Sequence, residues 1–286
     1  NKRRARAGQT ILGLCECSAM CYTYPVEENA MNQNEIRGNL DTGLLKIIAL
    51  VCMIIDHAGV RLLGNATEWR LIGRIAFPLY LWCMVVGACY THSPARYALR
   101  LLAVGLISQP CFMLGLNHGW NQLNVFFTLL LGYLGIWGIR ENRYGSRIWA
   151  PLLALAVPCF VSMDYGWRGV LLAMLLYAAR KNRGAVAAVM VAFCLFWGQG
   201  TRAVQDVFGL SLRGGLFELD IVKSFLKLQT LALLALPLML WPRTKRTPFP
   251  KVAAYAAYPG HLLILWGIQL ALGVTTLQDS LRLLIP

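Results

Sequence analysis

Long apolar segments separated by short polar connections dominate the chain from residue 44 onward. At 1.5 Å per residue, most of them reach across or nearly across the roughly 30 Å hydrocarbon core of a bilayer. This pattern predicts an all-α integral membrane protein with about nine transmembrane helices, within a range of eight to ten because two segments are short. The predicted spans are 44–63, 71–90, 98–116, 122–139, 148–163, 168–180, 185–200, 223–241 and 252–273.

Composition supports the membrane class. Apolar residues make up 57% of the 286 positions and charged residues only 14%, with a mean hydropathy of +0.54. The net charge of +14 does not predict nucleic-acid binding, because the basic residues fall in short clusters and form no basic face interleaved with aromatic residues. The nine cysteines show no metal-ligand spacing, so we expect a lipid bilayer as partner and no metal site.

The distribution of basic residues predicts the orientation. The N-terminal segment is strongly basic, and so are the alternate connections that would share its side of the membrane. The positive-inside rule therefore predicts a cytoplasmic N-terminus and, with nine spans, an external C-terminus. We expect residues 1–41 to form a cytoplasmic extension, compatible with a surface helix, and residues 42–286 to form the membrane domain. The longest connection, 201–221, carries charges of both signs and is compatible with an interfacial helix.

Asp56 and His57 lie side by side in the first predicted span. An ionisable group at membrane depth costs several kcal/mol unless it is paired or hydrated, so the pair predicts a functional site. Arg74 follows in the second span, where Pro78 leaves the Arg74 carbonyl without its helical donor. The alternatives are that the pair lies at a helix end in contact with headgroups, and that Arg74 extends to the membrane surface.

Further polar residues recur at a similar predicted depth. Asn124 and Thr128 lie on one face of the fourth span, and His261 follows Pro259 and Gly260, which favour an irregular turn near mid-bilayer. Ordinary interhelical hydrogen bonding is the alternative for each. The predicted topology nevertheless brings seven polar residues to the middle or outer half of the membrane. We therefore predict that they line one polar cavity open to the outside. Its members are Asp56, His57, Arg74, Ser108, Asn124, Asp164 and His261.

Several motifs, taken in order, resemble the TraX family. They are DH in the first span, RxxFPLYLWxxxxGxxYT at 74–91, Tyr97 with Arg100, SQP at 108–110, NVxFTLLLG at 124–132, DYGxxG at 164–169 and YPGHL at 258–262. The family is associated with conjugative pilus assembly and with N-terminal acetylation of pilin. The first two motifs are also similar to those of multi-span membrane acyltransferases, in which an early-span histidine is catalytic. The resemblance covers about 42–272.

The resemblance implies a multi-pass acetyltransferase of the bacterial inner membrane, with acetyl-CoA as donor and pilin or another peptide as acceptor. Under this reading His57 is the expected general base and His261 a second acid–base group. Adjacent helical residues point about 100° apart, so Asp56 is expected to pair with Arg74 rather than to orient His57. Asp164, or a carbonyl freed by a proline, is the expected partner of His57.

The remaining candidates serve the substrates. Ser108 and Asn124 are expected oxyanion donors, beside Arg74 and Thr128 in the substrate-binding set. The phosphates of coenzyme A are expected to contact Arg96, Arg100, Arg140 and Arg143, for which plain orientation charge is the alternative. Two other classes stay open: a transporter or flippase, and a non-catalytic pilus-assembly factor. The sequence predicts neither the acceptor nor the oligomeric state.

Overall fold

The computed structural model describes residues 36–64 and 66–285, and in this part of the chain most residues are helical. The surface helix considered for the extension lies outside the described residues. The α-helices are α1 (Thr42–Arg61), α2 (Thr67–Gly73), α3 (Ala76–Tyr90), α4 (Pro94–Leu116), α5 (Val125–Glu141), α6 (Ser146–Phe160), α7 (Gly166–Ala179), α8 (Arg183–Gly198), α9 (Asp220–Phe225), α10 (Leu236–Leu240), α11 (Lys251–Ala271) and α12 (Leu277–Leu284).

Helical structure coincides with each predicted span. Among the described residues, three helical stretches are long and apolar enough to cross a membrane, Thr42–Arg61, Thr67–Tyr90 and Pro94–Leu116. The helices α6, α7 and α8 and the stretch Thr230–Leu240 are apolar but shorter. The helical architecture is thus confirmed for the described residues, while the count of nine spans and the side of the N-terminus stay predictions.

The predicted span at 223–241 is not a single helix. The helix α9 ends at Phe225, and a 3-10 helix over Thr230–Ala235 leads into α10. Between them the backbone pairs with residues 202–204: the Val204 amide donates to the Leu226 carbonyl (2.7 Å) and the Leu228 amide to the Arg202 carbonyl (3.0 Å). The prediction was wrong because these cross-chain hydrogen bonds replace the helical ones over 226–229.

The interfacial helix considered for 201–221 is also wrong. The strand β1 (Asp206–Val207) pairs antiparallel with β2 (Leu210–Ser211), and a 3-10 helix follows over Gly215–Glu218. Phe208 and Gly209 form the tip with φ of 48° and 80°. Two consecutive positive φ angles suit a tight hairpin turn and cannot belong to a right-handed helix.

Two prolines act differently from each other. Pro78 lies in the first turn of α3, where a missing N–H is tolerated, and a two-residue turn at Arg74 and Ile75 separates α2 from α3. Pro259 lies inside α11, which continues from Lys251 to Ala271. The irregular turn predicted at Gly260 is therefore wrong, although the missing Pro259 N–H still removes the helical donor to the Tyr255 carbonyl.

The helix α3 is the centre of the helical packing. Its side chains are buried on nearly every side, and it contacts α1, α5 and α7. Trp82 is completely buried and donates from Nε1 to the Asn39 carbonyl (2.9 Å). This contact connects the centre of α3 to the segment preceding α1, so the start of α1 is held at a fixed position beside α3.

Asp41 connects the start of α1 to the segment before α11. Its buried carboxylate caps α1 by accepting from the Leu44 amide (3.0 Å), and it also accepts from the Thr247 amide (2.8 Å), the Thr247 hydroxyl (2.6 Å) and Arg243 Nε (2.9 Å). Burial alone would raise the pKa of Asp41, but these hydrogen bonds outweigh it and lower the pKa below its ordinary value.

We expect Asp41→Ala to lower the free energy of unfolding by about 2–3 kcal/mol, since it removes a helix cap and hydrogen bonds to a buried charge. The surface pair of Asp206 and Arg213 (2.8 Å) provides the control, because Asp206→Ala should cost less than about 1 kcal/mol. Thermal or denaturant unfolding of the purified protein in detergent measures both. A change for Asp41→Ala no larger than that for Asp206→Ala would contradict this role.

The lowered pKa of Asp41 predicts that the stability difference between wild type and Asp41→Ala depends on pH. The folded-state pKa of Asp41 is lowered, so its contribution is present above the unfolded-state pKa and is lost as the pH falls through the folded-state value. The stability difference between wild type and Asp41→Ala should therefore shrink in acid.

Candidate functional site

An ion pair between Asp56 and Arg74 lies at the centre of the site. Arg74 Nη2 donates to both carboxylate oxygens of Asp56, at 3.0 and 3.2 Å, and Arg70 Nε lies 3.5 Å from Asp56 Oδ1. Arg74 Nη1 also donates to Gln229 Oε1 (3.2 Å). Asp56, Arg74 and Gln229 are all buried. The expected pairing of Asp56 with Arg74 is confirmed, and Arg70 and Gln229 are additional partners.

The last turn of α2 and the short turn before α3 place the two arginines around Asp56. Arg74 ends α2, and its guanidinium Nε donates back to the Arg70 carbonyl (3.2 Å). Gly73 permits the close approach of the two helices, because a Cβ at this position would overlap the Asp56 carboxylate. The ion pair therefore depends on a residue without a side chain at position 73.

His57 is hydrogen-bonded to His261, 204 positions further along the chain. His57 Nδ1 lies 2.8 Å from His261 Nε2, and His261 Nδ1 lies 2.9 Å from the Ala257 carbonyl oxygen. A carbonyl only accepts, so His261 carries its proton on Nδ1 and accepts at Nε2 from His57 Nδ1–H. This leaves the lone pair of neutral His57 on Nε2.

The expected partner of His57 was therefore wrong in its identity. Neither Asp164 nor Asp56 is hydrogen-bonded to the His57 imidazole. His57 is bound by His261, and His261 is bound in turn by the Ala257 carbonyl. Asp56 binds the arginines because neighbouring positions on α1 point in different directions. One turn of α1 thus supplies two separate networks.

A cavity of about 440 Å³, here called the Asp–His cavity, is bounded by both networks. His57 lines it and His261 lies behind His57, so we infer that Nε2 of His57 is the ring atom available to a substrate. Apolar side chains, among them Phe112 and Trp197, form part of the wall. Its polar lining residues are Asp56, His57, Arg70, Arg74, His118, Asp164, Tyr165 and Gln229.

Asp164 reaches this cavity from the turn between α6 and α7. The Asp164 amide donates to the Leu123 carbonyl (2.9 Å), and the Thr128 hydroxyl donates to the Asp164 carbonyl. Within the described residues its carboxylate has no hydrogen-bonding partner. Burial raises the pKa of the Asp164 carboxyl to about 6, with a further increase from Asp56, while Arg74 and Arg70 oppose the shift.

Neither Asn124 nor Ser108, the expected oxyanion donors, lines the Asp–His cavity. Asn124 caps α5 by accepting from the Phe126 amide (3.0 Å), and its two amide hydrogens are donated to the Gly105 carbonyl (2.8 Å) and Gln109 Oε1 (2.9 Å). No N–H of its side chain remains for a substrate. Ser108 is completely buried outside the lining of the Asp–His cavity. The Thr128 hydroxyl is hydrogen-bonded to the Asp164 backbone and thereby helps to position a residue of the cavity.

The four arginines expected to hold coenzyme A lie away from the Asp–His cavity, with largely exposed side chains. Arg140 donates to the Ala88 carbonyl (2.6 Å), Arg143 lies 4.0 Å from Glu141, and Arg100 stacks over the Tyr97 ring. Arg96 is exposed near the start of α4. None of the four lines the Asp–His cavity, and their contact with coenzyme A stays a prediction.

Four lining residues of the Asp–His cavity were not predicted from the sequence: Arg70, His118, Tyr165 and Gln229. Arg70 looked like a loop charge, and Gln229 lies in a stretch predicted to be helical. A second charge four residues before Arg74 was the one available signal, because such residues share a helix face. Tyr165 stacks on Phe77 with ring centroids 3.6 Å apart, a contact between distant segments.

Fold and site together define a helical, membrane-type protein with a polar internal cavity. The family described as TraX protein matches residues 41–269, which include every residue of the site described above. The chain belongs to the TraX family. No solved structure matches it.

Three curated relatives illustrate this membership. The chain is 26% identical over 168 residues to the probable fimbrial assembly protein FimC, serogroup H1, of Dichelobacter nodosus, covering 53% of this chain and 68% of that protein. It is 31% identical over 145 residues to an uncharacterized protein of Rickettsia prowazekii (strain Madrid E), covering 49% and 56%. It is 27% identical over 156 residues to Protein TraX of Escherichia coli, covering 53% and 61%. The matches thus span between half and about two thirds of these relatives.

We expect Gly73→Ala to destabilise the protein by about 1–3 kcal/mol, because the added methyl group overlaps Asp56 in a packed contact. Gly267→Ala is the matched control. A Cβ at Gly267 meets nothing within 4 Å, so alanine in this exposed helical position should be neutral or stabilising. Unfolding midpoints in detergent compare the two variants. Equal midpoints would show that Asp56 and the end of α2 can move apart without loss of stability.

Proposed function

We propose that this protein is a membrane acetyltransferase of the bacterial inner membrane, which transfers an acetyl group from acetyl-CoA to an amine acceptor during pilus assembly. The observation that carries the proposal is His57, whose tautomer is fixed by His261 and whose Nε2 is left free beside a polar cavity. The name of the relative from Dichelobacter nodosus, a probable fimbrial assembly protein, supports the link to pili. The proposed acceptor is the N-terminal amine of a pilin subunit.

The proposed reaction balances with His57 as the single proton carrier. The neutral amine attacks the thioester carbonyl carbon, and His57 Nε2 takes the proton that the amine nitrogen loses. The C–N bond forms, the C–S bond breaks, and His57 returns the proton to the departing sulfur of coenzyme A. The His57 Nδ1–H bond to His261 spreads the transient positive charge over both rings. No oxidant, reductant or metal is required.

Arg70 is the proposed stabiliser of the oxyanion. Its Nε lies 3.5 Å from Asp56, it lines the Asp–His cavity, and within the described residues its Nη atoms have no hydrogen-bonding partner. A donor aimed at the developing oxyanion is worth roughly 3–4 kcal/mol. Arg74 is less suited to this role because both of its Nη atoms are already engaged.

Asp164 is the proposed binding group for the acceptor amine. Its carboxylate lines the same cavity and has no other partner among the described residues. A peptide N-terminus with a pKa of about 7.7–8.0 is mostly a cation at neutral pH, so it is attracted to this carboxylate. It then releases one proton to water, and the neutral amine attacks while His57 takes the second proton.

The central test is the intact mass of a candidate pilin co-expressed with this protein. We expect a mass increase of one acetyl group, which His57→Ala abolishes or lowers about 10²–10⁴-fold. His261→Leu should lower the rate, whereas His261→Gln should restore much of it because the Gln Oε1 can still accept from His57 Nδ1–H. Gel filtration and the unfolding midpoint verify that each variant folds.

Two outcomes would refute the enzyme assignment. If His57→Ala acetylates pilin as wild type does, His57 is not the base. If the purified protein in lipid neither transfers nor hydrolyses radiolabelled acetyl-CoA with a pilin acceptor present, the chain is a transporter or a non-catalytic assembly factor instead.

The pKa of Asp164 predicts a pH profile. Below about pH 6 the carboxyl is protonated and loses its attraction for the ammonium group, so kcat/KM for the acceptor should fall on the acid side of pH 6. Asp164→Asn should have a low kcat/KM for the acceptor at every pH and should not show the fall below pH 6. The decrease in kcat/KM should come mainly from a higher KM. Asp206→Asn, at an exposed position, should keep the wild-type profile. An unchanged fall below pH 6 in Asp164→Asn assigns it to another group.

A further inference from the structure

A second cavity lies on the other side of the histidine pair. It has a volume of about 260 Å³ and is enclosed by α1, α3, α4, α5 and α11. Its wall is mostly apolar but includes Tyr80, Tyr97, Tyr255 and Tyr258, and we call it the tyrosine cavity. It shares no lining residue with the Asp–His cavity.

Two cations mark the end of the tyrosine cavity at which α1 begins. Lys46, one turn into α1, and Arg246, in the segment before α11, both line it together with Leu40 and Thr42. Neither makes an ion pair with any described residue, and the nearby carboxylate of Asp41 is already engaged by Arg243 and Thr247. Two uncompensated cations beside an apolar cavity favour an amphiphilic anion as ligand.

The other end of the tyrosine cavity approaches the catalytic pair. Met53 lines this cavity, and His57 follows it by four residues on the same face of α1. Tyr258 also lines it and precedes His261 by three residues on α11, with ring centroids 5.5 Å apart. One helical turn of side chains, about 5.4 Å, therefore separates the cavity from both histidines.

Its dimensions suit a long, narrow ligand. Lys46 and His57 are eleven positions apart on α1, which corresponds to about 16 Å of helix, so the ligand must be extended to connect the cations with the histidines. The volume of about 260 Å³ is too small for a whole coenzyme A molecule. A slender arm with an amide backbone fits an apolar wall interrupted by tyrosine hydroxyls, and a nucleotide would stay outside at the cations.

We propose that the tyrosine cavity binds the pantetheine arm of acetyl-CoA, with Lys46 and Arg246 on the phosphates and the thioester extending past Met53 and Tyr258 towards His57. The inference rests on the acetyl transfer proposed above and assigns its donor site. Donor and acceptor then reach His57 from opposite ends of α1, the donor through the tyrosine cavity and the acceptor through the Asp–His cavity.

Binding of radiolabelled acetyl-CoA to the full chain in nanodiscs of zwitterionic lipid tests the proposal. The measurement uses the His57→Ala background so that no turnover occurs. We expect saturable binding that Lys46→Gln and Arg246→Gln each weaken about tenfold, while Arg147→Gln and Arg183→Gln, at exposed positions, leave it unchanged. Pantetheine without phosphates should compete far less well than coenzyme A.

Two adjacent alanines on α11 provide a steric control. Ala254 lines the tyrosine cavity, whereas Ala253 is exposed and does not. Ala254→Trp should fill the cavity and raise the dissociation constant at least tenfold, and Ala253→Trp should not. Because both variants add the same side chain to the same helix, a general loss of stability affects them alike, and the unfolding midpoint reveals it.

The outcomes separate this inference from the proposed function. Specific binding without acetylation of any acceptor refutes the enzyme assignment and keeps the donor site. Acetylation with a KM for acetyl-CoA that Lys46→Gln, Arg246→Gln and Ala254→Trp leave unchanged refutes the donor site alone. Competitive loss of binding when the nanodiscs contain phosphatidylglycerol assigns the cations to a lipid phosphate and overturns the proposal.

Discussion

The buried carboxylate of Asp56 is the constraint on which the rest of the site depends. A charge enclosed among apolar helices is costly unless it is paired and hydrogen-bonded. Arg74 and Arg70 provide that pairing from the end of α2, where Gly73 leaves room for the carboxylate. Gln229 then completes the hydrogen bonding of Arg74 from the non-helical stretch after α9. Two separate segments are thus held against one side of α1, and both line the Asp–His cavity.

The sequence was informative wherever a signal is local. Apolar segments of near-spanning length located the helices, and the 100° step between neighbouring helical residues separated Asp56 from His57. Asn124 shows the limit of such reasoning, since one polar side chain at a helix start can face a substrate or cap the helix. Its side-chain amide is hydrogen-bonded to Gly105 and Gln109, so Asn124 caps the helix in this structure. These hydrogen bonds depend on how α4 and α5 pack.

Long-range contacts account for most of what the sequence did not predict. The bond between His57 and His261 joins positions 204 residues apart, and no periodicity or charge rule connects them. The segment 226–229 leaves the helix because its backbone finds partners at 202–204, although its composition favours a helix. The role of Ala257 was equally hidden, because any backbone carbonyl could have held the second imidazole.

The adjacency of Asp56 and His57 also has a mechanical consequence. The two side chains bind on different sides of α1. Asp56 binds the arginines at the end of α2, and His57 binds α11. Asp41 additionally connects the start of the helix to the segment at 243–247. A rotation of α1 about its axis would break both sets of bonds together, so these bonds oppose such a rotation. We therefore expect α1 to stay in place when a ligand enters the Asp–His cavity, and any opening of the site to come from the elements that pack around it.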